Sequence, residues 1–128
     1  MSGSRSQFLY AILRVVPRIE RGECMNAGVV VYCQARGFLA VRTFLDDSRL
    51  AALASDVSPD AVRAHLDALV RIAAGAPDAG PVAALPRAQR FGWLVSPSST
   101  IVQPSEVHSG LCADPAQTLD ELFSRLVE

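Results

Sequence analysis

Ala27-Gly28-Val29-Val30-Val31-Tyr32-Cys33 is the stretch that decides the architecture. It is an unbroken apolar run centred on valines, the pattern of a central strand that buries both of its faces. At about a third of the roughly 20 residues needed to span a bilayer, it is too short to cross a membrane. A polar turn from Gln34 to Gly37 separates it from Phe38 to Leu45, which is again strand-like, so residues 27–45 read as a hairpin.

Upstream, Phe8 to Val16 mixes aromatic and β-branched residues and stops at Pro17, whose missing amide hydrogen ends a ladder. This is a further strand, with Arg14 expected to face solvent or a partner carboxylate. Pro17 to Asn26 is a polar connecting loop containing Gly22. Downstream, Asp46 and Asp47 cap a short helix through Ala54. Ser58, Pro59 and Asp60 open a longer helix that Gly75 and Pro77 stop. Val62, Leu66, Leu69 and Ala73 recur at helical spacing and give it one apolar face, with His65 on the edge of that face. Residues 75–86 form a Gly, Ala and Pro-rich connector, and Arg87 to Leu94 is a short helix or turn. Thr100 to Gln103, bounded by Pro97 and Pro104, reads as a last strand. Asp114 and Pro115 begin a final helix whose Leu119, Leu122, Phe123, Leu126 and Val127 form a stripe that must dock on the core. Strands early and helices late give an α+β fold: a single domain over residues 1–128, a small antiparallel sheet packed against helices, with residues 1–6 a flexible N-terminus.

Composition sets the outer limits. The chain has 128 residues, of which 50% are hydrophobic and 20% charged, enough for one self-supporting core. The polar start, Met1 to Gln7, and the apolar stretch after it, which carries Arg14 and Arg18, do not form a signal peptide, so a cytoplasmic location is expected. Cys24, Cys33 and Cys112 are odd in number and widely spaced, which speaks against disulfides or a zinc site and for reduced thiols. Every basic residue is Arg. Residues 1–45 hold six of them against Glu20 and Glu23, a net of +4, while residues 106–128 hold five acids against Arg125, a net of −4. Such opposed ends can attract within the fold or steer a partner, but the basic density is far below that of a nucleic-acid domain.

Three segments carry chemistry. Arg21-Gly22-Glu23-Cys24-Met25-Asn26-Ala27-Gly28, a loop entering the central strand, places a guanidinium, a carboxylate and an amide within a few residues, able to hold an anion or to pair internally while Gly22 and Gly28 serve the turn. Arg87 to Trp93 with Ser98, Ser99, Thr100 and Gln103 offers a phosphate or carboxylate cradle. In the alternative reading, Phe91, Trp93 and Leu94 bury their side chains and leave Arg87 and Arg90 solvated. His108-Ser109-Gly110 with Cys112 sets a histidine in a flexible loop, where acid and base work is open to it. No G-x-S-x-G, H-E-x-x-H or phosphate-loop motif accompanies these segments, and without Lys a Walker-type nucleotide site is excluded.

Tyr10, Leu13-Arg14, Pro17, Arg21-Gly22-Glu23, Asn26, Gly28-Val29, Arg90-Phe91-Gly92-Trp93-Leu94, Ser99-Thr100, Gln103 and His108-Ser109-Gly110-Leu111 together resemble a bacterial family catalogued as domain of unknown function three thousand and thirty-seven. The Arg-Gly-Glu with the following Asn and Gly-Val is the most specific part. Arg18 stands where the family often has an acid after the proline, and Cys24 where a larger apolar residue is usual. The resemblance implies no activity. It implies a context, since members accompany a kinase-like protein similar to the HipA toxins, and hence an accessory or antitoxin-like role.

Two functions are expected on these grounds. The first is a noncatalytic protein-interaction or accessory domain, with Arg14, Arg21, Glu23, Asn26, Arg90, Thr100, Gln103 and His108 around a polar groove and a kinase-like protein as partner. The second is a small hydrolase or transferase acting on an anionic phosphoryl or acyl substrate: Arg21 and Arg90 hold the anion, His108 is the acid or base, and Glu23 orients it. No cofactor, metal, membrane or nucleic acid is expected in either.

Overall fold

The computed structural model describes residues 4–98 and 100–128. Five strands form one antiparallel sheet: β1 (Ser6–Val15), β2 (Met25–Cys33), β3 (Phe38–Thr43), β4 (Val102–Pro104) and β5 (His108–Cys112). Four α-helices flank it, α1 (Asp47–Leu53), α2 (Pro59–Ala74), α3 (Arg87–Leu94) and α4 (Pro115–Leu126). This is the α+β architecture expected from the order of the elements.

The sheet runs β3-β2-β1, and both β4 and β5 pair with the far edge of β1. β5 takes the N-terminal half, from Ser6 opposite Cys112 to Tyr10 opposite His108. β4 takes the other end, where Leu13, Arg14 and Val15 oppose Pro104, Gln103 and Val102. Pro104 has no amide hydrogen to continue the ladder. Ser105 bridges the gap: its backbone N–H donates to the Ile12 carbonyl, and its hydroxyl accepts the Ile12 N–H at 2.8 Å.

β2 has a core on each side. Val30 and Tyr32 pack with Ala11, Leu13, Val62, Leu66 and Leu69 toward α2 and α3, whereas Val29, Val31 and Cys33 pack with Phe8, Leu119, Leu122 and Phe123 toward α4. Sharing both layers is what made its sequence continuously apolar. Cys33 and Cys112 lie in the α4-side core and Cys24 is exposed; burial pushes the Cys112 thiol up, with the neighbouring Cys33 adding to the effect.

Helix ends follow the sequence signals. The Asp46 carboxylate accepts the Arg49 N–H, the Ser58 hydroxyl accepts the Ala61 N–H, and Asp114 accepts the Ala116 N–H. Gly75 ends α2 in the left-handed conformation at φ 69°.

Four expectations are corrected. His108-Ser109-Gly110 is not a loop but most of β5, so Thr100 to Gln103 is not the last strand. The strand there begins later, at Val102. Asn26 belongs to β2, not to the preceding loop. Trp93 is 46% exposed rather than buried. Of the expected flexible start, residues 1–3 lie outside the described residues, as does Ser99; Ser6 opens β1, and Arg36 donates to the Ser4 carbonyl and the Ser6 hydroxyl.

Candidate functional site

The strand register divides the expected site residues. Residues directly opposite each other in an antiparallel pair project to the same face, with Cβ atoms about 5 Å apart. Tyr10 opposes Val31 and Ile12 opposes Val29, and both valines belong to the α4-side core. Arg14 opposes Asn26 on one side and Gln103 on the other, and Tyr10 also opposes His108. Tyr10, Ile12, Arg14, Asn26, Gln103 and His108 therefore share the face on which α4 lies.

α4 covers only part of that face, because it packs over β2 and β3. The strip formed by β1 with β4 and β5 is left beside it. There Tyr10, Ile12, Arg14, Asn26 and Gln103 are half-buried and His108 is exposed. Its floor is aromatic and aliphatic: Phe8 and Tyr10 stack with centroids 5.9 Å apart, and the His108 ring tilts over Tyr10 at 5.2 Å.

The polar groups of the strip differ in what they already hold. Asn26 donates its amide to the Leu126 carbonyl at 2.9 Å, fastening the C-terminal end of α4. Gln103 donates to the Thr100 carbonyl at 3.0 Å, and among the described residues neither amide oxygen accepts a hydrogen bond. His108 Nε2 lies 3.9 Å from a Glu106 carboxylate oxygen, a loose exposed contact. Among the described residues, no carboxylate lies within 4.0 Å of Arg14. A half-buried guanidinium without an acid is a ready donor to an incoming carboxylate or phosphate.

The other expected residues lie elsewhere. Arg21 Nε donates to Glu23 at 2.6 Å on the turn that Gly22 closes in the left-handed region at φ 70°, so this motif neutralises itself. The Arg21 hydrogen bond, then its charge, holds the Glu23 carboxyl below its ordinary range. Arg18 donates to Asp56 at 2.7 Å, tying the same loop to the connection between α1 and α2 and lowering the Asp56 carboxyl. Arg90 sits across the sheet on α3, where it donates to the Leu85 carbonyl at 2.7 Å and the Ala73 carbonyl at 3.4 Å, closing the end of α2. Its Nε is buried without a partner among the described residues. Thr100 donates to the Val102 carbonyl at 2.9 Å.

His108 and Glu23 do not converge. His108 is level with Tyr10, whereas Glu23 lies beyond Met25, which is level with Val15. Five residues of extended β1 separate those levels by about 17 Å. The described residues contain no group of three or more His, Cys, Asp or Glu that could hold a metal. Likewise no helix among them is long and apolar enough to cross a membrane.

Ile12 carries no polar signal that marks a site and was not among the expected site residues, and Tyr10 was read only as part of the family pattern. The clue lay in parity: Tyr10, Ile12 and Arg14 alternate along β1, so a half-buried arginine implied a half-open face with those residues on it.

The profile of the family described as "Protein of unknown function (DUF3037)" matches residues 10–127, and the chain belongs to that family. No curated protein and no solved structure matches it.

Proposed function

We propose that the protein is a noncatalytic interaction domain that docks a protein partner on the strip of sheet beside α4. The observation that carries this reading is Arg14, half-buried on an open aromatic and aliphatic face with no carboxylate beside it among the described residues. Docking surfaces combine an apolar centre with a few well-placed polar groups, and Tyr, His and Arg on a rigid sheet supply both at low entropic cost. The partner presents an apolar side chain to Tyr10 and Ile12 and an acidic group to Arg14. A kinase-like protein of the HipA type, the context that the family resemblance implies, is the partner class to test first.

The transferase or hydrolase reading needed His108 within hydrogen-bond reach of Glu23 or of a nucleophile inside a cleft. The separation of His108 from Glu23 along β1, the internal pairing of Arg21 and the helix-closing role of Arg90 speak against the roles that reading gave to these residues.

The test is affinity capture with tagged protein, comparing wild type with Arg14→Glu, Ile12→Glu and, as a control across the turn, Arg21→Ala. Circular dichroism first verifies that each variant folds. A stoichiometric protein retained by wild type and Arg21→Ala but lost in Arg14→Glu and Ile12→Glu supports the reading. Equal retention by all four chains contradicts it.

A further inference from the structure

The opposite face of the sheet carries a second site. A cleft of about 210 Å³ opens between α2, α3 and β4. Its floor is core: Leu13, Leu69, Leu94 and Val102 contribute to it and are 1%, 7%, 4% and 4% exposed. One wall is Trp93, the chain's single tryptophan. On the same helix Phe91 and Leu94 are buried, while Trp93, the largest apolar side chain of α3, is 46% exposed and lines the cleft.

The rim fixes the polarity of what could enter. Among the described residues, no Arg, Asp or Glu lines the cleft. With the His65 imidazole in its neutral form, an ionic ligand would leave water without a counter-charge, a cost that selects a neutral one. The rim hydroxyls belong to Ser96, Ser98 and Thr100. Ser96 donates to the Gly92 carbonyl at 2.7 Å and Thr100 to the Val102 carbonyl at 2.9 Å. With the Thr100 hydrogen committed there, the 2.8 Å contact between the Ser98 and Thr100 oxygens places the Ser98 hydrogen on Thr100. All three hydroxyl hydrogens are thus engaged within the protein, and these hydroxyls offer only lone pairs.

We propose that this cleft binds a small uncharged molecule with a planar ring that bears an N–H or O–H donor. The ring lies against Trp93 over the aliphatic floor, as offset aromatic pairs prefer, and the donor reaches the Ser98 and Thr100 oxygens. His65 closes the remaining side with an imidazole that can donate or accept. The site is separate from the docking strip, since the sheet lies between them.

Nuclear magnetic resonance of ¹⁵N-labelled protein tests this directly, because one tryptophan gives one indole N–H signal. The probes are indole, 1-methylindole, which has the same ring without the donor, and benzoate, which is charged. Indole is expected to shift the Trp93 indole signal and the Leu94 and Val102 amides saturably. 1-Methylindole is expected to bind roughly threefold to tenfold more weakly, the worth of one neutral hydrogen bond, and benzoate not to bind. In Trp93→Ala, whose lost side chain is half-exposed and not part of the core, the indole-induced shifts at Leu94 and Val102 disappear. The proposal is overturned if indole gives no saturable shift, if 1-methylindole or benzoate binds as tightly as indole, or if the shifts map to the Tyr10 and Arg14 face.

Discussion

Ser105 is a buried polar side chain at 5% exposure, and it holds together the edge on which β4 and β5 share β1. Its hydroxyl accepts the Ile12 N–H and donates to the Glu106 carbonyl, so truncation strands a ladder donor. Ser105→Ala should lower unfolding free energy by about 1–3 kcal/mol in urea titration with an unchanged slope. A loss below the error of the titration would show that water replaces the hydroxyl. Nothing in the sequence marked this serine, because its role depends on a ladder interrupted 93 positions away. Arg21 and Glu23 were legible as a motif, and their internal pairing was one of the two readings it offered, the one the structure shows. The sign of that pairing is testable. With its pKa lowered, Glu23 contributes stability that is present above the ordinary carboxylate value of about 4.3 and lost as pH falls through its own lower one. Arg21→Ala should therefore raise the Glu23 titration to the ordinary range when followed by carboxyl NMR, and an unmoved titration would mean that the pair does not form in solution.

At the scale of elements, the strands and helices with strong periodicity were readable and β5 was not. Its residues, His108-Ser109-Gly110-Leu111-Cys112, contain no β-branched side chain, and only Cys112 among them is buried. Pairing with β1 makes it a strand; intrinsic preference does not. Gly110 has a packing reason to be glycine: a Cβ at that position would meet the Phe8 ring at 2.7 and 2.8 Å. Phe8 is itself buried, so the ring has little room to yield. Gly110→Ala should cost about 1–3 kcal/mol and weaken the Tyr10–His108 stack, seen as increased amide exchange at residues 108–112. Wild-type stability and exchange in this variant would contradict the close packing of Phe8 on β5.

Over the whole molecule, the opposed charges of the two chain ends are used in part internally. Arg42 on β3 binds Asp120 on α4 at 2.5 Å while its guanidinium lies 4.4 Å from the Phe123 ring centroid, which helps to hold α4 over the β3 side of the sheet. Placing α4 there leaves the β1 side open. Arg42→Ala should loosen α4 without touching the strip, lowering stability by about 1 kcal/mol, the scale of an exposed ion pair with a cation–π contact. An unchanged melting midpoint would mean that the α4 stripe alone positions the helix. That the final helix docks on the core was evident from its leucines; which half of the sheet it covers was not, because Arg42 and Asp120 are 78 positions apart and neither is unusual where it stands. The candidate site was legible only as residue types. Arg14, Asn26, Gln103 and His108 stood out, but their common face comes from the register, while Arg21 and Glu23 lie in the connection between β1 and β2 and Arg90 on α3.

Whether the strip beside α4 is the docking surface is decided by photo-crosslinking in the cell. A benzophenone amino acid is placed at Ile12 on the strip in one chain and at Glu121, an exposed position on α4, in another. A discrete protein adduct is expected from position 12 and none from position 121. An adduct from 121 alone, equal adducts from both positions, or none from position 12 would contradict docking on the strip.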